Sequence, residues 1–248
     1  MHFFPRWDMT PALKADVKVL WGTANDDPAA WNVTCAALAS LAGESEDEDP
    51  LRIVVASQSD RENSALRINK RILAALILGG FILDFDGRWG GISFRFRDKY
   101  TLRILTKAGN LLELYTCLAA DFADDRDVGV PLDWDGQIQP WGVIDTRNEA
   151  DVMLTIGTTA VCISCKNGLC DKDNLYELET VANHFGGRFS RKILVAIYVH
   201  NNENSRASIL QRAADMGITL IPDVEKLTME ALSEKLREAV KDLLLEAQ

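Results

Sequence analysis

The sequence predicts an α/β protein: a mixed central sheet flanked by helices, preceded by an α+β N-terminal part. Three observations lead there. From about residue 100 the apolar patterns run helix, three strands, helix, strand, helix, strand, helix. Such an order gives a β-meander followed by crossover helices, and therefore a mixed sheet. Lys192–Val199 (KILVAIYV) is almost continuously apolar, as a strand covered on both faces must be. At 248 residues the chain is long enough for one large or two small domains. Two are expected, at 1–98 and 99–248.

The elements follow in order. Residues 10–42 read as two helices, broken at Trp21-Gly22 and at Asn25-Asp26-Asp27-Pro28, with Pro28 suited to a first helical turn. Glu44–Asp49 (ESEDED) reads as an exposed loop before Pro50, and Arg52–Ser57 as a short strand. Ser64–Leu78 is amphipathic and stops at Gly79-Gly80. Phe81–Phe85 and Ile92–Phe96 alternate as two half-buried strands around the turn DGRWGG. A helix followed by a hairpin resembles half of a winged helix. Tyr100–Phe122 reads as one longer helix with Gly109 inside it, and Asp121–Pro131 as an acidic loop. Trp141–Thr146 and Val152–Ile156 form the expected hairpin, with Val161–Cys165 as the third strand. A helix over Leu175–Phe185, closed by Gly186-Gly187, leads to the buried strand. A helix over Arg206–Met216, the strand Ile218–Ile221 and an amphipathic helix over Thr228–Glu246 complete the chain.

Composition narrows the function classes. No apolar run reaches the roughly 18 residues of a membrane span, and MHFFPRWDMT lacks the basic-then-apolar order of a secretory signal. The five cysteines are odd in number and sit mostly in apolar stretches, which suits reduced thiols in a cytoplasmic protein. A net charge of −10 disfavours tight sequence-independent binding to nucleic acid. The charge is uneven, however. Residues 61–110 carry ten Lys or Arg against four Asp or Glu. Arg95, Arg97, Arg103 and Lys107 are the candidate phosphate-gripping residues of that stretch.

The chemistry concentrates in Asn148–Gly168 (NEADVMLTIGTTAVCISCKNG). Strand periodicity puts Cys162, Ser164 and Lys166 on one face, and Asp151, Met153 and Thr155 on one face of the neighbouring strand. In a hairpin register Asp151, Ser164 and Lys166 converge. Glu113, a carboxylate among leucines, is costly to bury unless paired or metal-bound, and the preceding helix brings it toward the same place. Two carboxylates with waters suit Mg²⁺ or Mn²⁺. Cys162, Cys165, Cys170 and His184 invite a zinc reading, but Cys162 and Cys165 face opposite sides of a strand.

The order Glu113, Asp151, Ser164-Cys165-Lys166 resembles the PD-(D/E)XK nuclease superfamily, which has a restriction-endonuclease-like core. More narrowly, NEADVM, ISCKNG and LYELETVANHFGG resemble the nuclease half of CRISPR-associated CARF nucleases and their uncharacterised relatives, over roughly residues 60–248. The resemblance implies that Glu113 and Asp151 bind metal and that Lys166 assists catalysis. It implies a divalent-metal-dependent endonuclease cutting DNA or RNA in prokaryotic antiviral defence, as a possible homodimer. Members with a sensor carry a CARF domain ahead of the nuclease. Residues 1–60 are too short for one, so either the chain is a fragment, with cyclic oligoadenylate control through a domain not in it, or the protein acts without that sensor. The superfamily places Glu or Asp two residues before the lysine, where this chain has Ser164. A substitute acid could come from Glu149, Glu177 or Glu179. The alternative is a catalytically weakened nuclease fold that binds nucleic acid or a partner.

Overall fold

A computed structural model describes residues 7–45, 47–56, 68–87, 91–132, 148–187 and 189–246. The described chain divides into two compact units: residues 16–111, and residues 112–248 together with 1–15.

Helix α1 (Pro11–Ala24), most of which belongs to the unit of residues 16–111, runs through Trp21-Gly22 without a break. It is followed by α2 (Pro28–Gly43), with Pro28 in its first turn and the Asp27 carboxylate capping Ala30 N–H. Strand β1 (Arg52–Ala56) pairs antiparallel with β3 (Gly91–Phe96), which in turn pairs with β2 (Ile82–Asp86). Helix α3 (Lys70–Leu78) begins at Asn69, whose side chain caps Arg71 and Ile72. The earlier part of the expected helix, 64–67, and the tip of the DGRWGG turn lie outside the described residues. Phe94 and Phe96 stack edge to face at 5.2 Å in this core.

The expected single helix over Tyr100–Phe122 is two: α4 (Lys99–Thr106) and α5 (Gly109–Ala119). Lys107 takes an extended conformation, φ −136 and ψ 98, which breaks the helical run. Gly109 therefore opens the second helix instead of sitting inside one.

The unit holding 112–248 contains a five-stranded sheet in the order β4-β5-β6-β7-β8. Its strands are β4 (Asp125–Leu132), β5 (Asn148–Ile156), β6 (Thr159–Leu169), β7 (Arg191–Tyr198) and β8 (Ile218–Ile221). β4, β5 and β6 are antiparallel, whereas β6–β7 and β7–β8 are parallel, joined through α6 (Lys172–Val181) and α7 (Glu203–Asp215). The mixed sheet is as the sequence predicts. The partner of β5 is not: it is β4, read from the sequence as an acidic loop. The other expected partner, Trp141–Thr146, lies outside the described residues. β4 is an edge strand, where Pro131 is tolerated, and its Val128, Val130 and Leu132 are buried.

After α6 the chain makes a π-helical turn over Ala182–Gly186, and Gly187 adopts φ 70. The C-terminal helix is also split, into α8 (Met229–Ala239), capped by Thr228, and α9 (Lys241–Glu246). Leu175, Leu178, Leu194, Ala196, Val199 and Ala213 pack into one cluster that fixes α6 and α7 on the sheet.

Gly129 interrupts β4. It takes φ 61, and the ladder passes from Val128↔Val152 to Val130↔Ala150 without a pair at Gly129 and Asp151. A residue with a Cβ is strained in that conformation by about 1–2 kcal/mol. Gly129→Ala is expected to lose about that much stability in urea unfolding; an unchanged midpoint would contradict a required left-handed kink.

Candidate active site

The site forms where two strands part. The β5–β6 pairing runs from Ile156↔Thr159 to Val152↔Ile163 and stops there. β5 stays with β4 as far as Asn148↔Leu132, while β6 stays with β7 through Lys166↔Ala196 and, after a register shift, to Leu169↔Tyr198. The next residues on the two parting strands are Asp151 and Ser164. The Asp151 carboxylate fills the gap. One of its oxygens, Oδ2, accepts from the Cys165 backbone N–H at 2.7 Å and from the Ser164 hydroxyl at 3.1 Å. A side-chain carboxylate thus takes a backbone donor that the strand ladder has released.

The cavity in the gap is lined by Glu149, Asp151, Ser164, Lys166 and Glu177, with Ala150, Cys162, Ile163, Leu178 and Val181 as its remaining walls. Its volume is about 30 Å³, enough for water or a small ion. Asp151, Ser164 and Lys166 therefore converge as strand periodicity predicts. Lys166 Nζ donates to Glu177 Oε2 at 3.0 Å. Glu177 stands on α6, whose start is fixed by a capping box between Asp171 and Asn174. Glu179, one of the alternative acids, instead faces Lys192 at 3.5 Å and does not line the cavity.

Glu113 is 5% exposed on α5 and is not among the cavity-lining residues. Its charge acts on Cys165, whose thiol lies beside Thr116 of the same helix. Cys162 packs instead with Leu175, Leu178 and Ala182, so the two thiols do face opposite sides of β6. Burial pushes the Cys165 thiol well above its ordinary value, and Cys162 up to about 11.

Electrostatics assign roles. Burial raises the Asp151 pKa from its ordinary value and Glu149 adds to the rise; the Cys165 N–H, Lys166 and Ser164 only partly offset it. Burial works to lower the Lys166 pKa, but the bond from Glu177 and the charges of Asp151 and Glu177 outweigh it, and the net direction is up. Lys166 is therefore a persistent cation and donor, suited to stabilising negative charge and not to serving as a general base.

Among the described residues no three His, Cys, Asp or Glu side chains form a ready-made metal cage. A hard divalent cation needs less: one or two carboxylates plus waters. Asp151 meets that need. Both of these hydrogen bonds fall on Oδ2, and burial leaves the charge of the carboxylate only partly compensated.

The candidate phosphate-gripping residues lie in the unit of residues 16–111. Arg95 is exposed on β3. Arg97 is engaged by Asp16 at 2.5 Å and by Asp98 at 2.9 Å, over the Phe81 ring. Arg103 is on α4, and Lys107 is exposed at the break after it.

Comparison with known proteins places the fold. No protein-family model and no curated protein matches the chain. The crystal structure of protein VC1899 from Vibrio cholerae matches over 94% of this chain and 58% of that one, with a TM-score of 0.62 and 21% identity. The two share a fold. This chain spans less than two thirds of the Vibrio protein. A structure of Can2 from Sulfobacillus thermosulfidooxidans in complex with cyclic tetra-adenylate also matches, at 11% identity and a TM-score of 0.46, over 90% of this chain and 55% of that one. Among the described residues no helix is long and apolar enough to cross a membrane.

Sequence reasoning found Asp151, Ser164 and Lys166 because period 2 is visible in a strand. It named Glu177 only as one of three alternatives, since the 3.0 Å bond to Lys166 depends on how α6 crosses the sheet.

The Asp151 shift has a thermodynamic sign. Its folded pKa lies above the unfolded value, so the folded chain binds the proton more tightly. Metal-free stability falls as pH rises from the unfolded toward the folded pKa, and the loss is complete above it. Asp151→Asn removes that cost while its amide oxygen still accepts from Ser164 and Cys165. In EDTA at pH 7 its melting temperature is expected to equal or exceed that of the natural chain, with the difference closing as pH falls. A fall of several degrees on substitution would mean that the charge itself stabilises the fold.

Proposed function

We propose that this chain is a divalent-metal-dependent nuclease that hydrolyses phosphodiester bonds in DNA or RNA. The observation that carries the reading is the convergence of Asp151, Ser164 and Lys166 at the parted ends of β5 and β6. The sequence resemblance to PD-(D/E)XK nucleases supports it, and implies a setting in CRISPR-linked antiviral defence with a homodimer and cyclic oligoadenylate control.

In this reading Asp151 would hold Mg²⁺ or Mn²⁺. The bound ion would supply Lewis-acid polarisation of the phosphate and a more acidic water. Lys166 directs its ammonium into the cavity, where it neutralises charge growing on the phosphate oxygens. The Ser164 hydroxyl and Cys165 N–H hold Asp151 in one orientation. Arg95, Arg103 and Lys107 contribute backbone contacts from the basic stretch. Metal binding must displace the proton that the raised Asp151 pKa favours, so affinity rises with pH through that range.

The test is cleavage of supercoiled DNA, single-stranded DNA and RNA with Mg²⁺ and with Mn²⁺. Lys166→Ala is expected to lower cleavage by about 10²–10³-fold, the loss typical of removing one charge-stabilising donor, and Asp151→Ala to abolish it with Mn²⁺ binding. Full activity in either variant would refute the assignment. One observation favours a second reading: a serine occupies the position of the usual strand acid. A chain that binds nucleic acid but neither takes up Mn²⁺ nor cuts would be a nuclease fold kept for binding.

A further inference from the structure

We infer that Arg52 and Arg95 form a phosphate clamp on the exposed face of the three-stranded sheet β1-β3-β2, holding one phosphate of a nucleic-acid backbone between them; this rests on nucleic acid as the ligand in the reading above, and not on cleavage. The strand register puts the two residues side by side. β1 and β3 are antiparallel, and Arg52 pairs directly with Arg95. Ile53, Val55, Phe94 and Phe96 fill the buried face, so Arg52 and Arg95 stand on the other one. Residues directly opposite on antiparallel strands have Cβ atoms about 4.5–5.5 Å apart. Both side chains can therefore reach one phosphate, whose oxygens suit guanidinium donors.

Like charges directly opposite each other weaken a sheet, and little in the fold offsets this rung. Arg95 is exposed and has no ion partner among the described residues. Arg52 is 61% exposed, and its contact with Asp47, at 3.6 Å, is loose. Arg97, by contrast, is engaged by Asp16 and Asp98. Leu83 pairs with Arg95 from β2, while Ser93, on the next rung, pairs with Val54 and adds a hydroxyl to the face. Asp86 pairs with Ser93 from β2, so an anion is favoured on the β1 side of the rung. Helix α3 is a poorer surface for nucleic acid. Arg71 is held by Asp26 at 2.6 Å. After it the exposed residues are Ala74, Ile77 and Leu78, whose side chains can bond neither a phosphate nor a base edge. The uncommitted positive charge of β1 and β3 is thus gathered on one rung.

The test is fluorescence anisotropy with labelled single- and double-stranded oligonucleotides over a range of salt, in EDTA so that no metal-dependent cut intervenes. The double variant Arg52→Gln with Arg95→Gln is expected to weaken binding about tenfold and to lower the slope of log affinity against log salt by about 0.7–0.9, the loss of one phosphate contact. Each single variant is expected to lose less, because the other guanidinium still meets the phosphate. Arg95→Glu separates binding from folding. It makes an opposite-charge rung with Arg52, so its melting temperature is expected to hold or rise while its affinity falls as far as that of the double variant. Unchanged affinity and slope in the double variant overturn the inference. So does a drop in the melting temperature of Arg95→Glu, because the pair would then serve the fold. A full loss of slope in each single variant also overturns it, since two separate phosphates would be held. Inorganic phosphate that raises the melting temperature of the natural chain but not of the double variant, with no oligonucleotide bound, would make this a simple anion site and refute the nucleic-acid assignment. Binding that depends on both arginines in a chain that never cuts would leave the clamp standing and sink only the nuclease reading; cleavage with binding indifferent to both arginines would do the reverse.

Discussion

The Asp151 carboxylate, bonded to the Cys165 N–H at 2.7 Å, is the interaction on which the site depends. It lies where β5 leaves β6, and it replaces a ladder bond that the separating strands cannot make. Without an acceptor, a buried N–H costs roughly 1–3 kcal/mol. The same carboxylate thus satisfies the backbone and anchors the cavity. Opposite it, Gly129 breaks the regularity of β4 at the level where β5 must turn away. The opening is therefore specified on both sides of β5: by a conformation that glycine adopts without strain, and by a side chain that bridges the gap.

This dependence explains which parts of the molecule were legible in the sequence. Alternation along Val152–Ile156 and Val161–Lys166 reports a local two-residue period, so the shared face of Asp151, Ser164 and Lys166 could be read without a structure. β4 could not. Its Asp125, Asp127, Gly129 and Pro131 read as a loop, and the strand is visible only through the burial of Val128, Val130 and Leu132, which needs β5 beside it. The break at Lys107 was hidden for a related reason. Leucine spacing continues through it, and a local extended conformation overrides the period. The Lys166–Glu177 pair joins a strand to the helix that follows it. Its formation depends on the crossing of α6 over the sheet, information that no local pattern carries.

The thiols illustrate the same separation of local and tertiary information. Cys162 and Cys165 are three residues apart, a spacing that suits a metal-binding pair in a loop. On a strand it sends one side chain toward α6 and the other toward α5. Burial raises both pKa values, which keeps them as neutral thiols that pack. Cys165 nevertheless matters to the site through its backbone, since its N–H is the donor that orients Asp151.

Charge accounting ties these parts together. Glu149, Asp151 and Glu177 bring three carboxylates to the cavity and Lys166 one ammonium, a formal balance of −2 when all are ionised. Burial and Glu149 already push Asp151 toward its protonated form, so the metal-free cavity holds its full negative charge at a cost. In the proposed nuclease, a divalent cation would match that balance and relieve the cost. Replacing Ser164 by an acid with Glu177 kept would carry the balance to −3, more than one such cation offsets.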